Sequence, residues 1–187
     1  MQLQLNFDSD IAMVLDECTS YPATKKIASE SMLLSMRWAK RCRLSFSSNK
    51  NALFGIIQGG IFNDLREESL KKLESYELQG YAIGGLAVGE SKEEMDDVLN
   101  FLCPKMPSNK PRYLMGVGKP LDILEAVEKG VDMFDCVIPT RHARNGYLYT
   151  AKGIIKIRNS ENKYLLDPLD KNCSCYTCSN FSKSYLH

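Results

Sequence analysis

The segment GVDMFDCVIPTRHARNG, residues 130–146, places a carboxylate and two arginines beside an apolar run. Apolar side chains flank Asp135 on both sides, and a carboxylate at an apparently buried position costs free energy unless something holds it there. Such a group can attack a sugar carbon and form a covalent glycosyl intermediate. Arg141 and Arg144 follow in what we expect to be an exposed basic loop, where they can pair with phosphates. The segment therefore predicts a reactive aspartate at the mouth of a site that receives a polyanion.

Polar residues or glycines also end the four apolar runs that precede Asp135. These strand ends carry Asp16 and Glu17, Gln58 and Gly59, Gly84 and Gly85, and Met115 and Gly116. A carboxylate can accept two N–H groups from the edge of a guanine-like base, and a glutamine amide or a backbone N–H can donate to the carbonyl of the base. One polar strand end alone is ordinary loop chemistry, so it is the combination of Asp16, Gln58 and Asp135 that indicates a site.

Strand-like and helical patterns alternate along the chain and must position these residues. Apolar, β-rich runs predict strands at 10–17, 52–59, 80–87, 112–118 and 131–139. Apolar residues at helical spacing, together with start and stop signals, predict helices at 25–46, 62–78, 91–106 and 119–130. Strands separated by helices are typical of a parallel sheet covered by helices. The carboxyl ends of such strands share one edge, and ligands bind there.

The pattern changes after Gly146. Residues 146–159 predict a β-hairpin, and we expect the remainder to be loop that carries a cluster of cysteines. We therefore divide the chain into a first domain at 1–146, which carries the candidate site, and a second domain at 147–187.

The composition is that of an ordinary globular protein. The chain has 187 residues, of which 44% are hydrophobic and 25% charged, with a formal net charge of +1. This length is sufficient for one sizeable core, and the net charge neither favours nor excludes a nucleic-acid partner. We find no apolar run of membrane-spanning length and no signal peptide in the first residues, MQLQLNFDSD. We therefore expect a cytoplasmic protein that is not embedded in a membrane.

The seven cysteines of a cytoplasmic chain are reduced thiols, metal ligands or catalytic groups rather than disulfides. Four of them stand singly, and we expect small buried side chains there: Cys18, Cys42, Cys103 and Cys136. The other three, Cys173, Cys175 and Cys178, form the motif CSCYTC and can converge on one tetrahedral zinc ion. Only two histidines exist, His142 in the basic segment and His187 at the chain end, so the predicted zinc site lacks a convincing fourth ligand.

Five motifs, taken together, resemble the bacterial queuine tRNA-ribosyltransferase family, the tRNA-guanine transglycosylases. In order they are DIAMVLDEC, FGIIQGG, GYAIGGLAVGE, RYLMGVGKP with DMFDCVIPTRHARNG, and CSCYTC. The resemblance covers essentially the whole chain and implies a (β/α)8 TIM barrel with an inserted zinc-binding subdomain. It also implies a pentosyltransferase that exchanges guanine at wobble position 34 of tRNA with a GUN anticodon for preQ1, the 7-deazaguanine precursor of queuosine.

The resemblance assigns roles to individual residues around the base. Asp135 matches the nucleophile that attacks C1′ of the ribose and expels guanine, and Asp16 matches the acid that reads the base edge. Gln58 and the backbone of Gly85 match the groups that hold the base carbonyl. Leu86 matches a residue that offers its carbonyl to the side chain of preQ1.

Further positions match the family's pocket, its RNA contacts and its metal site. Tyr113 and Met115 match residues that line the pocket. Arg141 and Arg144 match residues that contact the anticodon loop, and Lys119 is a weaker candidate. The zinc ligands are matched by Cys173, Cys175 and Cys178. Val88, together with Cys18, resembles the bacterial version that uses preQ1, and a homodimer is expected for the full-length protein.

The chain also departs from the family pattern at both ends. The resemblance implies that it lacks the early strands, which carry the general acid/base aspartate and an aromatic that stacks on the base. It also places the fourth zinc ligand, a histidine in a later helix, outside this chain. Five βα units cannot close an eight-stranded barrel, so we expect an incomplete barrel with unpaired strand edges, that is, a fragment.

Two functions from other classes remain open at this point. The chain can be a non-catalytic tRNA-binding fragment or paralogue subunit, although Asp135, Asp16 and Gln58 are retained. It can also be an unrelated barrel enzyme such as a glycosidase, with Asp16 and Asp135 as its two carboxylates. A glycosidase, however, has no use for a glutamine and a Gly-Gly backbone around a planar base.

Overall fold

Five parallel strands form the sheet that carries the candidate site. They are β1 (Ile11–Met13), β2 (Ala52–Ile57), β3 (Gly80–Ile83), β4 (Arg112–Leu114) and β5 (Met133–Phe134). Neighbouring strands pair in the order β1-β2-β3-β4-β5, with Ile11 opposite Ala52 and Leu114 opposite Phe134 at the two edges. Sequential parallel order is the order of a (β/α) barrel, because a doubly wound sheet reverses direction at its switch point. The fold is therefore part of a TIM barrel, as predicted.

This description rests on a computed structural model that covers residues 1–46 and 50–187. The chain forms two compact units, Met1–Asp135 and Cys136–His187. The predicted domain boundary at residue 146 stays a prediction. Within the described residues, no helix is both long and apolar enough to span a membrane.

Helices alternate with the strands of the first unit. They are α1 (Gln2–Phe7), α2 (Lys25–Ser45), α3 (Asn63–Glu74), α4 (Lys92–Leu102) and α5 (Pro120–Glu128), and a 3₁₀ turn follows α4 at Cys103–Lys105. The four predicted helices are confirmed, whereas the sequence analysis did not predict α1. Helix α4 begins with a capping box in which the Ser91 hydroxyl accepts from Glu94 N–H and the Glu94 carboxylate accepts from Ser91 N–H. Pro120 occupies the first turn of α5, as expected.

The core lies between the sheet and these helices. Ala82 and Ile83 of β3 are fully buried, as are Leu73 of α3 and Leu102 of α4. The central strands read as continuous apolar runs because both of their faces are covered. This rigid layer fixes the strand ends from which the site residues project.

The second unit contains α6 (Ile138–Arg144) and a hairpin of β6 (Tyr147–Thr150) and β7 (Gly153–Lys156). Two short helices, α7 (Tyr176–Asn180) and α8 (Lys183–Leu186), and a 3₁₀ turn at Ser160–Asn162 follow. The predicted hairpin is confirmed. The expectation of loop throughout the remainder is wrong for α7 and α8.

Two expectations about residues 130–146 are also wrong. Asp135 is exposed rather than buried, because β5 is an edge strand of only two residues and ends before Asp135. The basic segment is helical rather than loop, because Pro139 fits the first turn of α6 and the helix continues to Arg144. Among the single cysteines, Cys42 and Cys103 are buried as expected, whereas Cys18 is exposed and Cys136 only half-buried.

Candidate active site

The carboxylate of Asp135 is held through one of its two oxygens. Its Oδ1 accepts a hydrogen bond from the Tyr113 hydroxyl at 2.6 Å and another from Gly116 N–H at 2.9 Å. Asp135 directly follows β5, Tyr113 lies in β4, and Gly116 follows β4, so two neighbouring strand ends supply the carboxylate and both donors. Within the described residues, Oδ2 accepts no hydrogen bond. A carboxylate oriented in this way can act as a nucleophile through its other oxygen.

Tyr113 is a donor at this site over a wide pH range. Its burial, followed by the hydrogen bond to Asp135, raises the pKa of Tyr113 to about 12. The phenol therefore stays protonated at neutral pH and donates to the carboxylate.

A second pair of polar side chains joins the ends of β1 and β2. The Gln58 amide Nε2 donates to Asp16 Oδ2 at 2.7 Å. Gln58 is fully buried, and its backbone N–H donates to the Ser69 hydroxyl at 3.1 Å. Its side-chain Oε1 is buried and has no hydrogen-bond partner among residues 1–46 and 50–187. Asp16 is half-buried, so its carboxylate can accept N–H groups from a ligand while Gln58 fixes its orientation.

The turn Gly84–Gly85, at the end of β3, touches this pair. A Cβ built on Gly84 would lie 2.8 Å from Gln58 Nε2 and 3.6 Å from Asp16 Oδ2. A Cβ on Gly85 would lie 2.4 Å from Gln58 Oε1, and Gly85 has a φ of +63°. Both positions therefore need glycine. Asp16, Gln58 and Gly85 were predicted to act together, and the structure brings them into contact.

The loop that follows Gly85 is held by Glu90. The Glu90 carboxylate accepts hydrogen bonds from the backbone N–H groups of Ala87, of Val88 at 2.9 Å and of Gly89 at 3.2 Å. Because the N–H and C=O of one peptide point in opposite directions, the bond from Ala87 N–H turns the Leu86 carbonyl away from Glu90. The side chain of Leu86 is buried, so it is the backbone of this residue that can meet a ligand.

The two groups of residues are adjacent along the rim. A Cβ on Gly116 would lie 4.0 Å from the Cβ of Ala87, which connects the loop after β3 with the loop after β4. Met115 is half-buried between them, and its N–H donates to the Ile83 carbonyl at 3.2 Å. Lys119 is exposed just before α5. The rim thus carries the Asp16 group on β1 to β3 and the Asp135 group on β4 and β5.

The predicted RNA-contacting arginines lie in the second unit. Arg141 and Arg144 are exposed in the last turn of α6. His142 between them stacks on Tyr149 at a ring-centroid distance of 5.8 Å, and its Nδ1 lies 3.2 Å from the Tyr149 hydroxyl. The hairpin therefore supports the helix that presents the two cations.

The three clustered cysteines converge as predicted. The sulfur atoms of Cys173, Cys175 and Cys178 all lie within 4.8 Å of one another and can hold a metal ion. The backbone N–H of Cys178 lowers the pKa of Cys175, which favours the thiolate that a metal requires. His187 does not join them in the described chain, because its Nδ1 lies 2.9 Å from the Ile157 carbonyl oxygen. The donor set fits three of the four positions of a tetrahedral zinc site.

Arg66 is a site residue that the sequence analysis missed. It lies in the predicted helix at 62–78 without an assigned role, and its side chain is fully buried. Its position in the helix could have indicated this burial, because Arg66 lies four residues before Leu70 and seven before Leu73 and so shares the apolar face of α3. The N–H of Gly116 was likewise not assigned a role, since residue type does not indicate which backbone N–H groups donate to a side chain.

Comparison with known proteins identifies the family. A family model described as TGT: Queuine tRNA-ribosyltransferase matches residues 1–187. The chain belongs to this family. Over all of its 187 residues it is 61% identical to a queuine tRNA-ribosyltransferase of Marinobacter nauticus and 59% identical to one of Hydrogenovibrio crunogenus, and it covers 50% of each relative. A Francisella tularensis relative of the same name is 60% identical and 51% covered.

The family assignment confirms the resemblance. The chain spans about half the length of the curated relatives it matches. The activity in the relatives' names therefore belongs to proteins about twice as long as this chain.

Asp135→Asn should lower the pKa of Tyr113 from about 12 toward the ordinary tyrosine value of about 10, because a neutral amide no longer opposes the phenolate. The return should be partial, since the burial of Tyr113 is unchanged. Because the pKa of Tyr113 is higher in the folded chain than in the unfolded chain, its contribution to the free energy of unfolding is complete below about pH 10 and is lost as the pH rises through about 12. In Asp135→Asn this contribution should be lost at a lower pH. Carbon NMR of chain labelled at tyrosine Cζ measures the titration. The exposed Asp97→Asn is the control, and an unchanged Tyr113 pKa in Asp135→Asn would contradict the hydrogen bond.

The chain should bind about one equivalent of Zn²⁺ through the cysteine cluster. Cys175→Ser should lose most of this metal because it removes one of three thiolates, whereas Cys18→Ser, at an exposed thiol elsewhere, should retain it. Metal analysis after dialysis measures the content of each variant. Equal zinc in Cys175→Ser and Cys18→Ser would mean that the cluster is not the metal site.

Proposed function

We propose that this chain supplies the nucleophile and the base-reading side of a tRNA-guanine transglycosylase. The observation that supports this most strongly is the hydrogen bonding of Asp135: Tyr113 and Gly116 donate to Oδ1, and no group in the described part of the chain donates to Oδ2. The two donors fix the orientation of this carboxylate at the end of β5, where it can face a bound ribose. The same rim carries Asp16 and Gln58 in contact, which suits recognition of a planar base.

The proposed chemistry is a double displacement at C1′ of the ribose at position 34. Asp135 Oδ2 forms a bond to C1′ while the C1′–N9 bond breaks, and the bonding electron pair leaves with guanine, which takes up a proton. In the second step N9 of preQ1 loses a proton, attacks C1′ and displaces Asp135. The family resemblance places the aspartate that transfers these protons outside the present sequence, so Asp135 supplies the covalent step and not the proton transfer.

Base recognition in this proposal belongs to the Asp16 group. The free acceptor positions of Asp16 can bind N1–H and the 2-amino group of guanine, while Gln58 and Gly85 N–H donate to the carbonyl oxygen at C6. Gln58 already donates one N–H to Asp16. This bond keeps the Asp16 carboxylate and the Gln58 amide next to each other, so that both can bind the same base. A flipped-out nucleotide is read in this way because a base in a stack hides these atoms.

Specificity for preQ1 is assigned to the loop that Glu90 holds. With Ala87 N–H bound to Glu90, the Leu86 carbonyl faces away from that carboxylate and can accept from the aminomethyl group of preQ1. The Val88 side chain is exposed at the same loop, where its bulk would limit the size of the substituent. Val88 and Leu86 thus act on the one part of preQ1 that guanine lacks.

Binding of the tRNA is assigned to Arg141 and Arg144, with Lys119 as a weaker contact. Exposed cations of this kind hold phosphates and set the register of an RNA without reading its sequence. We propose tRNA with a GUN anticodon as the substrate, because guanine 34 is the base that the pocket would receive. Affinity should fall with rising salt, as phosphate contacts do.

Zinc, a homodimer and a cytoplasmic location complete the proposal. Cys173, Cys175 and Cys178 would hold the ion, which would fix the loop of the second unit and take no part in catalysis. Reduced thiols that serve as ligands suit a cytoplasmic protein. The exposed rings of Tyr176 and Tyr185 both pack on the half-buried Phe181, and such an aromatic surface suits pairing with a second copy.

Covalent capture of tRNA tests the proposal. Folded, zinc-loaded chain incubated with GUN-anticodon tRNA and quenched in denaturant should give a shifted band on a denaturing gel. Asp135→Asn should abolish this band because it removes the nucleophile, whereas Asp97→Asn, an exposed aspartate of α4, should leave it unchanged. A tRNA with adenine at position 34 should form no adduct.

The opposite result would also be informative. If no adduct forms with protein that still binds the tRNA, the chain keeps the residues without the activity. It would then be a non-catalytic tRNA-binding fragment, the alternative that the sequence left open.

A further inference from the structure

Arg66 is a buried cation for which the proposed chemistry has no direct use. Its side chain is fully buried, and within the described residues it forms no ion pair. Burial lowers the pKa of Arg66 to about 10, so the guanidinium still carries its charge at neutral pH. A buried charge is costly unless polar groups compensate it.

Four backbone carbonyls provide that compensation. Arg66 Nε donates to the Gly60 carbonyl at 2.8 Å, and Nη1 donates to those of Ile57 at 2.9 Å and Gly84 at 2.6 Å. Nη2 donates to the Gly85 carbonyl at 3.2 Å. The planar guanidinium thus joins the ends of β2 and β3, which a lysine with its single ammonium cannot do in the same geometry.

These bonds determine which way the glycine turn faces. The Gly84 and Gly85 carbonyls both point at Arg66, so the N–H groups that share their peptides, those of Gly85 and Leu86, point away from it. Two successive peptides can face one way because Gly85 has a φ of +63°. Successive N–H groups arranged in this way form a concavity that binds an oxygen.

The direction of this concavity is visible in its surroundings. A Cβ on Gly84 would lie 3.6 Å from Asp16 Oδ2 and 2.8 Å from Gln58 Nε2. Gln58 Oε1 would lie 2.4 Å from a Cβ on Gly85. The N–H groups therefore open toward the Asp16 group, and the charge of Arg66 behind the turn polarises them further.

We propose that Arg66 is the positioning residue for recognition of the 6-oxo group of the base. Its guanidinium holds the Gly84–Gly85 turn so that the N–H groups of Gly85 and Leu86 face the carbonyl oxygen at C6. This inference rests on the proposed function, because it requires a guanine-like base in the pocket. Arg66 touches no substrate atom and acts only through the turn.

The test compares two bases that differ at one atom. 6-Thioguanine keeps the N1–H and 2-amino groups that Asp16 would bind, and it replaces the oxygen at C6 by a sulfur that accepts hydrogen bonds weakly. Equilibrium dialysis with labelled guanine, and competition by 6-thioguanine, gives the ratio of the two dissociation constants for each variant of the full chain. A merely structural role would weaken both bases equally and leave this ratio unchanged.

Arg66→Met should reduce the preference for guanine over 6-thioguanine roughly fivefold, the effect of weakening one hydrogen bond to the base. Arg66→Lys should restore part of the preference. Arg112→Met is the matched control, because Arg112 also donates to three backbone carbonyls, those of Met106, Pro107 and Gly130, at the opposite end of the sheet. Its ratio should equal that of the unsubstituted chain.

An unchanged ratio in folded Arg66→Met would overturn the inference and leave the proposed function standing. If Arg66→Met does not fold, Arg66→Lys decides: a reduced ratio supports the inference and an unchanged ratio overturns it. If the unsubstituted chain binds neither base, the base-reading function itself fails and the role of Arg66 fails with it. If it binds both equally, the 6-oxo group is not recognised and the inference about Arg66 is overturned, whereas the role of Asp16 stands.

Discussion

Parallel pairing in sequential order is the constraint on which the site depends. Because β1 to β5 all run in one direction, every strand delivers its carboxyl end to the same edge, and residues far apart in sequence meet there. The continuous apolar interior of the central strands keeps these ends in fixed register. No single loop could bring Asp16, Gln58 and Asp135 to one rim with comparable precision.

The rim separates two kinds of chemistry. On β4 and β5, Tyr113 and Gly116 orient Asp135 through one oxygen and leave the other for reaction. On β1 to β3, Asp16 and Gln58 hold each other, and the glycine turn lies against them. In the proposed function, binding energy and reactivity can then be adjusted independently, since the groups proposed to read the base are not the group proposed to attack its sugar.

The fold class and the residues at the rim could be predicted from the sequence, because both depend on patterns of residue type and spacing along the chain. Apolar runs, caps and glycines located the strands and helices, and the end of each run located Asp16, Gln58 and Asp135. The family resemblance added the roles. The exposure of Asp135 could not be read, since apolar neighbours look the same at an edge strand and at a central one.

Other features could not be predicted from the sequence, for related physical reasons. The role of Gly116 N–H and the orientation of the Gly84–Gly85 peptides belong to the backbone, which residue types do not encode. The burial of Arg66 was concealed by its charge, since an arginine on a helix usually lies in solvent. Helix α6 was hidden by Pro139, which reads as a loop residue yet starts a helix equally well.

The identity of the attacking atom is the central claim, and tandem mass spectrometry of the trapped protein–tRNA adduct tests it most directly. After digestion with nuclease and protease, the nucleotide remnant should be attached to the peptide that contains Asp135, with fragment ions that place it on that side chain. A remnant on Asp16 or on Cys136 would contradict the account, because the oriented carboxylate at the end of β5 would then not be the nucleophile.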